Sequence, residues 1–172
     1  MTDPVFNKIA IIGAGLIGAS IARAAVEYGA AGTVSLYDSS EDVRQRAAGI
    51  ALGDVADNLA TAVAEADCVF LCVPVGALQA VAADAVPLMM AGAVLTDVGS
   101  VKGQATEALA AAADGRVHII PGHPIAGTEQ SGPEAGFPTL FRNAWHILTP
   151  LADGDDNYGA AVSMLEAFWT QL

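Results

Sequence analysis

Lys8-Ile9-Ala10-Ile11-Ile12-Gly13-Ala14-Gly15-Leu16-Ile17-Gly18 (KIAIIGAGLIG) begins as a β-branched run and breaks into a spaced set of glycines. Lys8 to Ile12 predicts a short strand ending at glycine. Apolar residues at helical spacing follow from Leu16 until Gly29 stops them. Strand, tight turn and helix in that order make the first half of a βαβ unit. The turn reads G-x-G-x-x-G, and each glycine has its own physical role. Gly13 makes the tight turn, Gly15 lets the backbone approach a pyrophosphate, and Gly18 allows close helix-to-strand packing. Phosphates would then lie at the helix start, where free N–H groups and the helix dipole favour negative charge. A bare glycine pattern is common, so the chain around it decides its meaning.

Thr33 to Asp38 (TVSLYD) predicts the second strand, and Ser39 or Ser40 can cap a helix running through Arg44, Arg46 and Ala47. Asp38 lies about twenty residues past Gly18, where an acidic side chain accepts hydrogen bonds from an adenosine ribose. A carboxylate there repels a ribose phosphate, which favours NAD over NADP; Arg44 and Arg46 keep a 2′-phosphate contact open. The alternation continues through DCVFLCVPV, a helix around Ala77 to Val86, AVLTDVGS, a helix from Lys102 to Ala113, VHIIPG and AWHILTPL. It closes with a helix from Asn157 to Leu172. Continuous apolar strands require a sheet covered on both faces. The expected fold is therefore α/β: Rossmann-type, doubly wound, a mainly parallel sheet with helices on both faces. Val73, Pro74 and Val98 end strands at the carboxyl edge, where open α/β folds place ligands, so a nicotinamide is expected between them. The expected cofactor contacts are Gly13, Gly15, Leu16, Ile17, Gly18, Asp38, Ser39, Val73, Pro74 and Val98.

The 172 residues suit one domain, or one domain with the start of another. Hydrophobic residues make up 53% and charged ones 15%, enough for a buried core and no case for disorder. A net charge of −12 with scattered basic residues disfavours nucleic acid and anionic membranes as partners. Cys68 and Cys72 sit in an apolar run and read as buried free thiols. Asp3 before Lys8 and the interrupting glycines argue against a signal peptide, and the apolar stretch from Phe70 to Leu95 is broken by Gln79, Asp84, Pro87 and Gly92. A cytoplasmic protein without a transmembrane helix is expected. No histidine pair has metal-ligand spacing, so no metal is expected.

Between the last two strands, Pro121 to Gly136 (PGHPIAGTEQSGPEAG) concentrates polar chemistry between glycines and prolines. Together with GAGLIGAS (Gly13 to Ser20) and DVGSVKG (Asp97 to Gly103), the segment HPIAGTEQSG (His123 to Gly132), followed by LFRNAWHILTP, resembles the prephenate and arogenate dehydrogenases of tyrosine biosynthesis. The resemblance covers essentially the whole chain. It implies oxidation of the 4-hydroxyl of a cyclohexadienyl acid by hydride transfer to NAD, with loss of the ring carboxylate as carbon dioxide. By matching motif, His123 would be the base or hydrogen-bond acceptor and Ser100 would orient the hydroxyl or His123. Thr128 and Glu129 would line the entrance to the substrate site, on a loop stiffened by glycine and proline. The resemblance also implies a homodimer formed through a helical second domain that supplies the substrate's counter-charges. That second domain is absent from this sequence, and Arg142 is an unproven substitute for its arginine. Residues 1–155 would then form the dinucleotide-binding domain and 156–172 the start of a connecting helix. The helix runs to Leu172 without a stop signal, an ending that suggests a fragment.

Blander readings stay open at several positions: His123 as a loop residue bonded to backbone, Ser100 as a helix cap, Glu129 as a solvated charge, Lys102 as a surface lysine. His118 and His146 read as structural. Another two-domain dehydrogenase of the β-hydroxyacid or imine-reductase kind, or a non-catalytic NAD-binding module, would share the glycine turn.

Overall fold

Residues 3–151 and 156–172 are described by the structure, a computed structural model. Six strands, β1 (Phe6–Ile12), β2 (Ala31–Tyr37), β3 (Asp54–Val55), β4 (Cys68–Leu71), β5 (Val94–Asp97) and β6 (His118–Ile119), form one sheet in the order β3-β2-β1-β4-β5-β6. Every neighbouring pair in it is parallel, so all strands present their carboxyl ends to the same edge. The order reverses between β1 and β4, the switch point at which open α/β sheets leave a crevice.

Side-chain alternation along the central strands divides the interior in two. Ile9 and Ile11 of β1, with Cys68 and Phe70 of β4, face a core filled by α1 (Leu16–Glu27), α2 (Glu41–Gly49) and α6 (Asp156–Gln171). Ala10, Ile12, Val69 and Leu71 face a second core filled by α3 (Leu59–Val63), α4 (Leu78–Ala85) and α5 (Lys102–Ala112). The sheet is thus doubly wound, as its apolar strands require. Alanine serves this arrangement: Ala19, Ala22 and Ala25 of α1 are fully buried and let the helix lie close to β1. Capping follows the sequence, with Ser40 accepting from Val43 N–H at the start of α2.

Three features differ from a periodicity reading. The pair β3 and α3 is too short to show a period, and α3 is set by Asn58, whose side chain accepts from Thr61 N–H at 2.9 Å. The strand expected in VHIIPG shortens to His118–Ile119. The chain then turns away: β7 (Gly122–Pro124) pairs antiparallel with β8 (His146–Leu148) as a separate two-stranded sheet, with His123 opposite Ile147.

Helix α6 lies against the first core. Phe168 is fully buried between Phe6 and Phe70, at ring distances of 5.7 and 5.1 Å. Gln171 Nε2 donates to the carbonyl of Tyr28 at the end of α1. The expected boundary at residue 155 lies outside the described residues. No helix among the described residues is long and apolar enough to cross a membrane.

Candidate active site

The glycine turn sits between the carboxyl end of β1 and the start of α1, and its three glycines differ in what constrains them. Gly13 has φ +102°, and a Cβ on it would strike the carbonyl oxygen of Cys72. A Cβ on Gly18 would strike the carbonyl oxygen of Gly13 and lie 3.0 Å from Ile11 Cγ2. Both are therefore demanded by the protein's own packing. At Gly15 a Cβ would meet nothing within 4 Å. The open space at Gly15 adjoins the start of α1, which has no side-chain cap and no acidic residue in its first turn. A diphosphate suits such a cradle, since it accepts from the free N–H groups of the first turn.

Asp38 closes the other side. One carboxylate oxygen accepts from Ala14 N–H at 3.0 Å and the other from Ser40 N–H at 2.9 Å. The end of β2 is thereby tied to the glycine turn, with lone pairs left over for a ligand. A cleft of about 500 Å³ opens here, lined by Gly13, Gly15, Asp38, Ser39, Val73 and Pro74 among the expected residues. Its lining also includes Tyr37, Leu59, Val81 and Asp84, which sequence reasoning missed. Tyr37 was within reach of it as the neighbour of Asp38; Leu59 belongs to a helix with no readable period. Leu16 is buried and Ile17 packs against the first core, and neither is among the residues lining the cleft. Val98 also packs on the first core and lies outside the cleft lining.

A second cluster forms where β5 ends. Asp97 is fully buried and accepts from Gly99 N–H at 2.8 Å and Gly122 N–H at 3.1 Å. Both of its oxygens accept from Lys102 Nζ at 2.7 Å, and the same ammonium donates to the Gly122 carbonyl at 2.6 Å. Lys102 is thus no surface lysine: its side chain is 19% exposed, because a buried carboxylate needs a counter-charge within reach. The pair holds both backbone polar groups of Gly122, and Gly122 precedes His123. The turn that carries Ser100 is pinned in this way to the strand that carries His123.

His123 is half-buried, and its imidazole makes no hydrogen bond among the described residues, so the backbone-bonded loop reading is not what is found. Ser100 is exposed with an unengaged hydroxyl, and the residue that caps α5 is Val101, with no side-chain hydrogen bond, so Ser100 is not the cap. Thr128 and Glu129 are exposed on an open depression shared with Phe137, apart from the cofactor cleft. Arg142 stands over the Tyr28 ring, 5.1 Å from its centroid, at the C-terminal end of α1. Among the described residues no group of three or more His, Cys, Asp or Glu could hold a metal ion. Burial pushes the thiols of Cys68 and Cys72 upward, so both stay protonated.

His146 stacks on Trp169 with ring centroids 3.6 Å apart, and neither ring nitrogen has a partner. Burial first, then the charges of His123 and Lys102, push its pKa down from 6.5 to about 3. Between those two values the unfolded chain binds a proton that the folded chain refuses. Stability is complete above pH 6.5 and falls as the pH drops toward 3, by ~1.4 kcal/mol per unit of displaced pKa at most. His146→Phe keeps the stack and removes the titration. In urea denaturation at pH 7 and pH 4.5, the wild type is expected to lose more stability on acidification than this variant.

The parallel sheet, the glycine cradle at its switch point and the carboxylate closing β2 define a Rossmann-type nucleotide-binding domain. A sequence profile described as prephenate dehydrogenase, nucleotide-binding domain, matches residues 21–172. A cyclohexadienyl dehydrogenase of Zymomonas mobilis subsp. mobilis is 46% identical over 169 residues, covering 98% of this chain and 56% of the relative. The structure of A. aeolicus prephenate dehydrogenase in complex with hydroxyphenyl propionate and NAD+ is similar at a TM-score of 0.85 and 26% identity, covering 99% of this chain and 58% of that one. Synechocystis arogenate dehydrogenase is similar at 0.81 and 29%, covering 94% and 57%. This chain belongs to the prephenate dehydrogenase family and carries its nucleotide-binding domain. It spans about half the length of the curated relatives it matches.

Proposed function

We propose that this chain is the NAD-binding part of an enzyme that oxidatively decarboxylates prephenate or arogenate in tyrosine biosynthesis. The observation that supports it most is the convergence of three motifs at one edge of one sheet. The glycine turn and Asp38 lie at the ends of β1 and β2, and the Ser100 turn and the His123 strand are joined through Asp97, Lys102 and Gly122.

In this reading Gly13, Gly15 and the N–H groups of Leu16 and Ile17 hold the pyrophosphate, and Asp38 accepts from the adenosine ribose. Bound NAD supplies a nicotinamide that accepts a hydride. The residues of this chain handle the proton: His123, with a free imidazole, takes it from the ring hydroxyl, and Ser100 orients that hydroxyl. Thr128 and Glu129 line the approach of substrate. A helical second domain reached through residues 156–172, a homodimer built on it and a cytoplasmic location complete the proposal.

The glycine turn provides the test. Calorimetry is expected to show NAD binding to the wild type, and Gly15→Ala to weaken it by at least tenfold with an unchanged melting temperature. Gly18→Ala should instead lower the melting temperature, since its methyl group meets backbone. NAD affinity unmoved by Gly15→Ala would contradict a pyrophosphate in that cradle.

A further inference from the structure

The polar loop is held at both ends and left open in its middle. At its near end Asp97 and Lys102 grip Gly122, and Ile125 N–H donates to the Trp145 carbonyl at 2.8 Å. At its far end one short helical turn, Pro133–Ala135, packs against α1 and α2. Gly127 to Ser131, between the two, is exposed. Within that stretch the hydrogen bond among the described residues is local, Thr128 Oγ1 accepting from Gln130 N–H at 3.2 Å.

Two contacts make the far anchor. Ser20 of α1 is fully buried, and its hydroxyl donates to the Leu16 carbonyl at 2.7 Å and accepts from Phe137 N–H at 3.1 Å. A Cβ on the neighbouring Gly136 would strike Ala19, so the segment lies directly on the helix. Arg46 of α2 supplies the second contact. Its Nε donates to Glu134 Oε1 at 2.8 Å and its Nη2 to Glu134 Oε2 at 2.5 Å, and Asp42 accepts from Nη1 at 3.4 Å. Arg46 lies outside the lining of the cofactor cleft, so a cation that the sequence leaves open for a 2′-phosphate is committed to the loop instead.

The Arg46 and Glu134 side chains are 42% and 47% exposed, and an ion pair so open to water contributes little to global stability. A parallel fork of two hydrogen bonds is nonetheless specific in geometry, so it fixes where Glu134 stands. Glu134 follows Glu129 by five residues, and a chain that short limits how far Thr128 and Glu129 can move.

We propose that Arg46 and Glu134 are positioning residues of the reaction: their fork sets the place of Thr128 and Glu129 relative to His123 while touching neither substrate nor cofactor. The inference rests on the reading of Thr128 and Glu129 as the residues that line the approach of substrate.

The test compares steady-state oxidation of prephenate and arogenate by the wild type, Arg46→Met, Glu134→Ala and the double variant, in protein carrying the complete substrate site. Each single variant should raise the substrate KM by on the order of tenfold, with kcat and the KM for NAD within about twofold. Melting temperatures should stay within about 2 °C of wild type. The double variant should be no worse than either single one, since both remove the same contact. In the 172-residue chain itself, Arg46→Met should speed amide hydrogen exchange at Ala135 to Phe137 by about tenfold or more while the main sheet keeps its rates, a readout that needs no substrate. Unchanged KM in the folded variants, unchanged exchange, or effects that add in the double variant each overturn this inference and leave the functional reading intact. A kcat that falls in step with the melting temperature marks a merely structural pair and overturns it as well. No oxidation of either acid by the wild type overturns the functional reading and this inference with it.

Discussion

His123→Asn is expected to lower turnover of prephenate or arogenate by on the order of 10²-fold or more, in protein carrying the complete substrate site, with NAD affinity unchanged. Asparagine retains a donor and an acceptor of similar reach but cannot take up a proton at neutral pH. The structure leaves the His123 imidazole without a hydrogen-bond partner among the described residues, so the substitution breaks no hydrogen bond there. Steady-state kinetics, with NAD affinity measured alongside by calorimetry, are the measurement. Turnover equal to wild type would remove His123 from the chemistry.

Lys102→Met is expected to cost about 3–5 kcal/mol of folding stability, the range for stripping a buried ion pair of one partner. Asp97 is fully buried, and the variant would leave its carboxylate with two backbone N–H donors and no cation. Against a usual total of about 5–15 kcal/mol such a loss brings the domain close to unfolding at 37 °C. Urea denaturation followed by circular dichroism would read it. Asp97→Asn combined with Lys102→Met should recover much of the loss, because no unpaired charge then remains inside. A single variant within about 1 kcal/mol of wild type would mean that Asp97 is solvated or protonated in the folded state.

The two predictions concern the same few ångströms. Lys102 and Asp97 grip Gly122 from both sides, and His123 follows it directly. A Cβ on Gly122 would lie 3.1 Å from both the Asp97 carbonyl and His146 Nε2. The conformation of the histidine strand is therefore dictated by a buried charge pair and a close backbone approach.

Much of the nucleotide half was legible along the chain. Gly13, Gly15 and Gly18 occupy one turn, and Asp38 ends the next strand, so local spacing contains the geometry. The half around His123 was legible only as a motif. GSVK displays a lysine at a helix start, and nothing near it signals that its partners are Asp97, five residues back, and the Gly122 carbonyl, twenty residues on. The short β3, α3 and β7 were missed for a simpler reason: two to five residues do not establish a period. Trp169 and His146, 23 residues apart, meet only because α6 lies back across the first core.

By itself the sequence determined the doubly wound parallel sheet and the glycine turn with its closing carboxylate, because apolar period, turn chemistry and capping act between residues a few positions apart. Tertiary structure alone decided that Lys102 is a buried counter-ion, that Arg46 is held by Glu134 while Arg44 donates to the carbonyls of Asp38 and Ser39, and that Arg142 stands over the Tyr28 ring. Charges choose partners by proximity and desolvation in three dimensions, and neither quantity is written in local spacing.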